Sequence, residues 1–554
     1  MAKRDFRYLA LSHMWGDSNV KHLKLLTSNI AESQKAIPLD KLSSIYREAI
    51  RVTLALGYKY LWVDSLCIIQ DKDHPDWTYE ARQMATVYGN ADCNLAFLFP
   101  SMSDDTSRTR SDPRDWNPCI LRAATSTRPG ISINHSTIVN KRNEQKHWLV
   151  QRDWPLFGRA WTFQEYLLSP RTLLLGHRNL MFQCSRHFYD ELLGPIKEAA
   201  AVAPDGTPYR GRAMGKWRYF PADLTKGWDK QVDMSSHSAL QLMTDWQASV
   251  NEYRARNLTY AKDRIVAFAG IARAFANMGS LTYLAGCWAE YFSLTLLWYI
   301  DRRRPPLVAH GQSASSGKFK DIPKHVHEVV VHNSPSWSPF SVPIFTQHQS
   351  FFLLNEDEQN ARLRFEQYAP NPPVYWHDIH WSYLDSFRFP GYTMDEVPFR
   401  CFDKFEGLEV TLKMPVLPVE TSWLKLLEKQ LASIRARNAL DAKITWKQDF
   451  KYYPDDPTSP PSMPKQSVLA LVSEFQLCRA PGLNNVERRS AGLVIREVRR
   501  GKWRRVGAWK LKVVITSMEI DESIAGHVAR RWRKHKLFDD GRKDGWRMEK
   551  VSLV

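Results

Sequence analysis

The sequence shows no CxxC pair, no signal-type pattern in its opening residues, no long uninterrupted apolar run and no glycine-rich nucleotide loop. Each absence closes off a class of protein. The seven cysteines (Cys67, Cys93, Cys119, Cys184, Cys287, Cys401 and Cys478) are scattered through 554 residues and odd in number. That pattern argues against a disulfide framework and a zinc ribbon, and fits a reducing compartment. The opening MAKRDFRYLALSHMWGD lacks an apolar core and a cleavage pattern, so it does not read as a signal peptide, and a cytoplasmic location is expected. The best candidate for a membrane span, LTYLAGCWAEYFSLTLLWYI at 281–300, carries Glu290 near its middle and small residues at helical spacing. It reads as a buried amphipathic helix instead. No GxGxxG follows the first apolar run and no GxxxxGKS/T occurs, which sets aside a Rossmann dehydrogenase and a P-loop NTPase. No internal repeat and no metal site are visible.

What is present is a globular composition, with 44% hydrophobic and 12% aromatic residues. The length suggests two to four structural units. Lys and Arg number 77 against 59 Asp and Glu, a net charge of 77 − 59 = +18. An excess of that size is compatible with a polyanionic partner, and equally with a soluble surface that happens to be basic.

The first hundred residues alternate strand and helix signals. Arg7 to Ser12 is a short apolar run. Leu39, Leu42, Ile45, Tyr46, Ala49, Ile50, Thr53 and Leu54 recur at helical spacing, with Pro38 near the start and Gly57 at the end. YKYLWVD at 58–64 reads as a buried strand. Asp76 is placed to cap a helix with apolar positions Trp77, Ala81, Met84, Val87 and Tyr88. Cys93 to Phe99 reads as a third strand. This βαβαβ order predicts a parallel sheet flanked by helices. Ligands of such sheets bind beyond the carboxyl ends of the strands, where Ser12 and Asp64 both fall.

Further on, Ile131 to Val139 reads as a strand and RAWTFQEYLLS at 159–169 as a short helix, followed by strand-like TLLLG and LMFQC. Residues 240–300 look mainly helical. YYPDDPTSPPSMPKQ at 452–466 reads as a Pro-rich linker. After it, VLALVSEFQL and GLVIREVRRGKWRRVGAWKLKVVI read as strands, the latter turning at Gly501.

Four strings, YLALSHMWGD (8–17), LGYKYLWVDSLCIIQD (56–71), DWTYEARQMATVYGNA (76–91) and RAWTFQEYLLSPRTLLL (159–175), resemble in order and spacing the blocks of the heterokaryon incompatibility (HET) domain of filamentous fungi. LTYAKDRIVAFAGIA, YLAGCW, PSWSPF and the GLVIREVRRGKWRRVG stretch are similar to segments found downstream in full-length members. Family members usually carry a longer segment before the first block, and PSWSPF replaces a commoner PSWSWAS-like string. The resemblance implies a HET domain at 1–175 of TIR/flavodoxin-like α/β fold. Beyond it come a mainly helical accessory region (176–345), a mixed region (346–451), the linker (452–466) and a basic, β-rich C-terminal region (467–554). It also implies a part in non-self recognition and regulated cell death. HET domains look like distant relatives of Toll/interleukin-receptor (TIR) domains, in whose enzymatic members a glutamate cleaves NAD at the nicotinamide glycosidic bond. Carried onto WTFQE, that glutamate is Glu165.

The residues could support such chemistry. A carboxylate beside the ribose stabilises an oxocarbenium-like state. Trp161, four residues before Glu165, falls on the same helix face and could stack on a flat ring. Ser12 and Asp17 could bond ribose or phosphate, the backbone at Gly16 could approach a phosphate, and Trp15 and Asp64 sit in the same rim motifs. NAD would be a substrate, with no resident cofactor. Each residue has a plain alternative. Glu165 could pair with Arg159 or Arg171, and Trp161 could be core. Ser12 could bond its own turn, and Asp64 could cap the turn that follows it. Cys67 reads as a buried inert thiol and His13 as a satisfied structural histidine. Two readings therefore stay open: an NAD glycohydrolase, and a non-catalytic module acting by self-association or recruitment of a partner from another incompatibility locus. VRRGKWRRVGAWKLK (498–512) and ARRWRKHK (529–536) could suit nucleic acid. They sit in no recognised nucleic-acid module, and a solvated hairpin and surface helix account for them.

Overall fold

The structure, a computed structural model, describes residues 6–14, 23–71, 74–99, 119–133, 155–176, 180–195, 246–300, 334–342, 349–351, 379–388, 408–418, 444–455, 464–478, 485–517 and 547–554, apart from a few short gaps within these stretches. They fall into two compact units. The first comprises 1–232, 252–280 and 308–319, the second 233–251, 281–307 and 320–554. Among the described residues no helix is long and apolar enough to cross a membrane.

The first unit is built on a seven-stranded sheet. Strands β1 (Leu9–Ser12), β2 (Leu61–Val63), β3 (Cys93–Phe97) and β6 (Arg171–Leu175) run parallel in the order β2-β1-β3-β6. Between β3 and β6 in the chain lies a separate hairpin, β4 (Cys119–Arg122) with β5 (Ile131–Ile133). Beyond β6 the sheet continues as an antiparallel meander through β7 (Leu180–Cys184), β8 (Phe188–Asp190) and β9 (Gly194–Pro195). The parallel part follows from the alternating helix and strand signals, since parallel neighbours need a crossover between them. β1 and β3 are buried at every position, as expected of strands covered on both faces. β2 is the sheet's edge and only Val63 in it is buried, so the run 58–64 is a short half-covered edge strand rather than a buried one.

Helix α1 (Ile30–Ser33) is a single turn. Helix α2 (Ser44–Ala55) starts later than Pro38 suggested. Ser43 caps it, accepting from the Tyr46 amide, and Leu39–Lys41 forms a separate 3-10 turn. Its buried stripe is Ile45, Tyr46, Ala49 and Thr53, of which the first three pack with Leu9, Leu11 and Leu95. Gly57 follows with φ +79°, a left-handed position that glycine takes without steric cost. After β2, α3 (Asp64–Cys67) turns directly into the loop that leads to α4 (Pro75–Asn90). His74, not Asp76, caps α4; Asp76 sits in the first turn and accepts from the Ile69 amide. Helices α5 (Trp161–Leu168) and α6 (Val266–Gly279) complete the unit against α4.

The second unit is rich in strands. The stretch 281–300 is not a helix. It holds a tight hairpin of β10 (Tyr283–Leu284) and β11 (Cys287–Trp288), one helical turn α7 (Phe292–Thr295), and β12 (Trp298–Ile300), which pairs with β13 (Gln349–Phe351). Ala285 and Gly286, with φ 47° and 95°, make the hairpin turn that interrupts the apparent helical period.

The main sheet of this unit runs β14 (Ile379–Ser382), β18 (Ser467–Cys478), β19 (Asn485–Arg499), β20 (Lys502–Ser517), β21 (Arg547–Leu553), β16 (Val410–Pro418), β15 (Ser386–Arg388), with β17 (Ile444–Pro454) beside β20. β16 pairs with both β21 and β18, so β16, β18, β19, β20 and β21 close into a ring. Tyr452 to Pro454, at the head of the presumed linker, end β17. Asp455 then pairs with the buried Arg505 guanidinium, which also donates to the Leu296 and Trp298 carbonyls.

Candidate functional site

β1 and β2 lie in parallel register with Leu11 beside Val63. Ser12, the last residue of β1, and Asp64, the first after β2, therefore lie together at the carboxyl end of the sheet. Tyr88, on the sheet-facing side of α4, donates its hydroxyl to the Leu11 carbonyl at 2.9 Å. Helix α5 is buried along all of Thr162–Leu168, and its fifth residue, Glu165, is directed at the end of β1. There the Ser12 hydroxyl donates to Glu165 Oε2 at 2.5 Å. Both side chains are covered, Ser12 at 2% and Glu165 at 4% exposure. The helix is pinned at this position, because the Glu165 carbonyl accepts from Ser169 Oγ at 2.5 Å and from Asn94 Nδ2 at 3.4 Å.

The electrostatics follow from the burial. Loss of water pushes the Glu165 carboxyl up from its ordinary 4.5 to about 7. The Arg159 guanidinium and the Ser12 hydroxyl act in the opposite direction, Asp64 adds to the rise, and the Tyr88 hydroxyl offsets part of it. The carboxyl is thus poised between its neutral and ionised forms at neutral pH. Tyr88, fully enclosed beside it, is held far above the ordinary phenol range by burial first and by Glu165 second.

A second polar chain adjoins the first. His13 Nε2 lies 3.1 Å from the Tyr46 hydroxyl, which lies 2.5 Å from Ser65 Oγ. His13 Nδ1 is 4.0 Å from Asp64 Oδ1, and the backbone amide of Ser65 donates to that same carboxylate oxygen at 2.6 Å. Arg159 donates to the His13 carbonyl at 2.5 Å. Neither arginine expected as a direct partner bonds Glu165: Arg159 is engaged by His13, and Arg171 donates to the Asp92 carbonyl.

Trp161 is half-buried and meets Trp77 edge-on, with ring centroids 5.9 Å apart. It packs with the cluster of Ala10, Met84 and Tyr88, one helical turn before Glu165. Trp15, Gly16 and Asp17 lie outside the described residues. Cys67 is exposed rather than buried. Among the described residues no group of three or more His, Cys, Asp and Glu side chains could hold a metal. Tyr88, Tyr46, Ser65 and Asn94 were not singled out from the sequence. Tyr46 and Tyr88 were visible only as apolar positions at helical spacing, which record a ring and not what its hydroxyl reaches.

Residues 8–165, which hold β1 to β3 and end at Glu165, match the family model described as Heterokaryon incompatibility protein (HET). Over 378 residues the chain is 23% identical to heterokaryon incompatibility protein 6, OR allele, of Neurospora crassa, a match covering 60% of this chain and 53% of that protein. The chain thus spans about half the length of this curated relative. No solved structure matches it.

Proposed function

We propose that this chain, which carries a HET domain, acts in heterokaryon incompatibility, and that the domain does so by hydrolysing NAD at the nicotinamide glycosidic bond. The carrying observation is the Ser12–Glu165 pair at the carboxyl end of β1, the side of the sheet on which open α/β folds bind ligands. The role in incompatibility rests on the HET family match and on the name of the Neurospora crassa relative. A TIR-like descent of the domain, a cytoplasmic location and a link to regulated cell death belong to the same proposal.

In the reaction the C1′–N bond breaks and its electron pair leaves with nicotinamide. Water adds at C1′ and loses a proton, giving ADP-ribose. Glu165 in its ionised form stabilises the positive charge that develops at the ribose and receives the proton from water. Ser12 orients the carboxylate, Trp161 offers an indole face to a flat ring, and Asp64, with Trp15, Gly16 and Asp17 of the same motifs, contributes to holding ribose and phosphate. The near-neutral titration of Glu165 suits a group that must both carry charge and take up a proton.

One observation favours a second reading. Glu165 is only 4% exposed and already satisfied by Ser12, as a buried structural carboxyl would be. In that reading the domain works by self-association or partner recruitment, without turnover. Release of nicotinamide from NAD by the purified full chain at high concentration separates the two. Turnover lost in both Glu165→Ala and Glu165→Gln, with the variants folded, supports the hydrolase. No turnover in folded wild type moves the reading to assembly.

A further inference from the structure

The ring of strands in the second unit has one buried face and one solvent face, and the solvent face is cationic in an ordered way. Val410, Leu412, Val551 and Leu553 are buried and pair across β16 and β21 as Val410 with Leu553 and Leu412 with Val551. The alternate positions form the other face, on which Arg388, Lys413 and Lys550 are exposed while Thr411 is largely covered. Following the register from strand to strand, Arg388 pairs with Thr411, Thr411 with Ser552, Ser552 with Lys502, and Lys502 with Arg499. These five residues form one row across five neighbouring strands. Four steps of about 4.8 Å make it roughly 19 Å long.

Cations flank the row. On one side Lys413 stands directly opposite Lys550, and both are exposed. On the other Arg496 stands opposite Arg504. Like charges in directly opposed positions destabilise a sheet, so a fold that keeps Arg496 opposite Arg504 beside a row of further cations is complementary to an anion that spans them. Lys502, within the row, also pairs with Glu409. The sequence over 485–517 has ten Lys and Arg against two Glu, 10 − 2 = +8.

We propose that this face is a docking surface for the phosphodiester backbone of a nucleic acid. The row runs straight across five strands, which suits a linear polyanion. A flat bilayer would meet side chains on a closed ring of strands only along its crest. The centre of the row carries the half-buried Ser552, its hydroxyl 3.0 Å from that of the buried Thr411, and a hydroxyl beside Arg and Lys is a common phosphate partner. Among the described residues the large apolar side chains exposed in this region are Val498 and Met548, with no aromatic among them. Trp503 belongs to the opposite face, paired with Leu553. The surface therefore grips backbone without stacking on bases, and binding is independent of sequence.

The test is fluorescence anisotropy of the full chain with a labelled duplex of arbitrary sequence over a range of salt. Contact with about six phosphates predicts that affinity falls about a thousandfold between about 50 and 200 mM salt. The triple variant Arg496→Ala, Arg499→Ala, Lys550→Ala is expected to bind more weakly at low salt and to reduce the slope of log affinity against log salt by about three. Arg47→Ala with Arg51→Ala, exposed cations on α2 of the other unit, is expected to leave that slope unchanged. An unaltered slope in the triple variant overturns the proposal. So does an absence of duplex binding at low salt, whether or not phosphatidylserine vesicles bind instead. Circular dichroism of each variant confirms that these surface changes leave the fold in place.

Discussion

Replacing Glu165 by Gln should make the protein more stable as the pH rises, and the size of the effect can be worked from the site. The carboxyl titrates near 7 in the fold against an ordinary value of 4.5, chiefly because it is buried. Below about pH 4.5 it is neutral in the folded and unfolded chain alike, and its contribution to stability is fully present. As the pH rises the unfolded chain ionises first while the fold resists, so the contribution shrinks and is gone once the pH passes about 7. Each pH unit of displacement is worth about 1.4 kcal/mol, so the full loss is about 3 kcal/mol. Glutamine keeps an acceptor oxygen for the Ser12 hydroxyl and cannot ionise. Between pH 5 and 8 the wild type should therefore lose about 2–3 kcal/mol relative to Glu165→Gln. For a unit of this size that widens the gap in unfolding midpoint by roughly 5–10 °C in favour of the variant. Scanning calorimetry of both proteins across that pH range reads the gap directly. Parallel profiles would refute the reasoning, because they would mean that the carboxyl is hydrated in the fold or paired in a way that restores its ordinary titration.

Other sites give sharper local consequences. Ser12→Ala removes a donor that favours the charged carboxyl; it should cost about 1.5–3 kcal/mol at pH 8 and less at pH 5, read by denaturant titration at both values. Arg505→Ala strands the buried Asp455 carboxylate and should destabilise the second unit by about 3–5 kcal/mol in thermal unfolding, with Asp455→Asn milder. At Gly270 an added methyl would lie 2.5 Å from Ala85 Cβ and 2.6 Å from Gln164 Oε1. Gly270→Ala should therefore lower the unfolding midpoint, since overpacking costs about 1–3 kcal/mol and exceeds a gain in helix propensity of about 1 kcal/mol.

Where local sequence and tertiary environment agreed, the fold was legible. β1 and β3 are short apolar runs because every residue in them is buried. The β19–β20 turn at Gly501 sits where a φ of 72° calls for glycine. The placement of Ser12 beside Asp64 follows from two parallel strands ending together, a topological argument that needs no side-chain detail. The stretch 281–300 failed for an equally physical reason. Its apolar spacing fits a helix, but two residues in left-handed conformation, Ala285 and Gly286, fold it back on itself. The antiparallel meander after β6 was invisible because a strand's sequence does not state its direction. The site's tyrosines were hidden differently. Burial of the ring sets the periodicity of α2 and α4, while the hydroxyl partners, the Leu11 carbonyl for Tyr88 and Ser65 Oγ for Tyr46, come from distant segments that no local pattern records.

The most direct test of Glu165 as the acting carboxylate is the rate of nicotinamide release from NAD by the purified full chain as a function of pH. The rate should rise with a midpoint near 7 as Glu165 ionises, in step with the decline in stability, and Glu165→Gln should abolish it at every pH. Turnover that persists in Glu165→Gln, or a wild-type rate indifferent to pH from 5 to 8, would contradict that role.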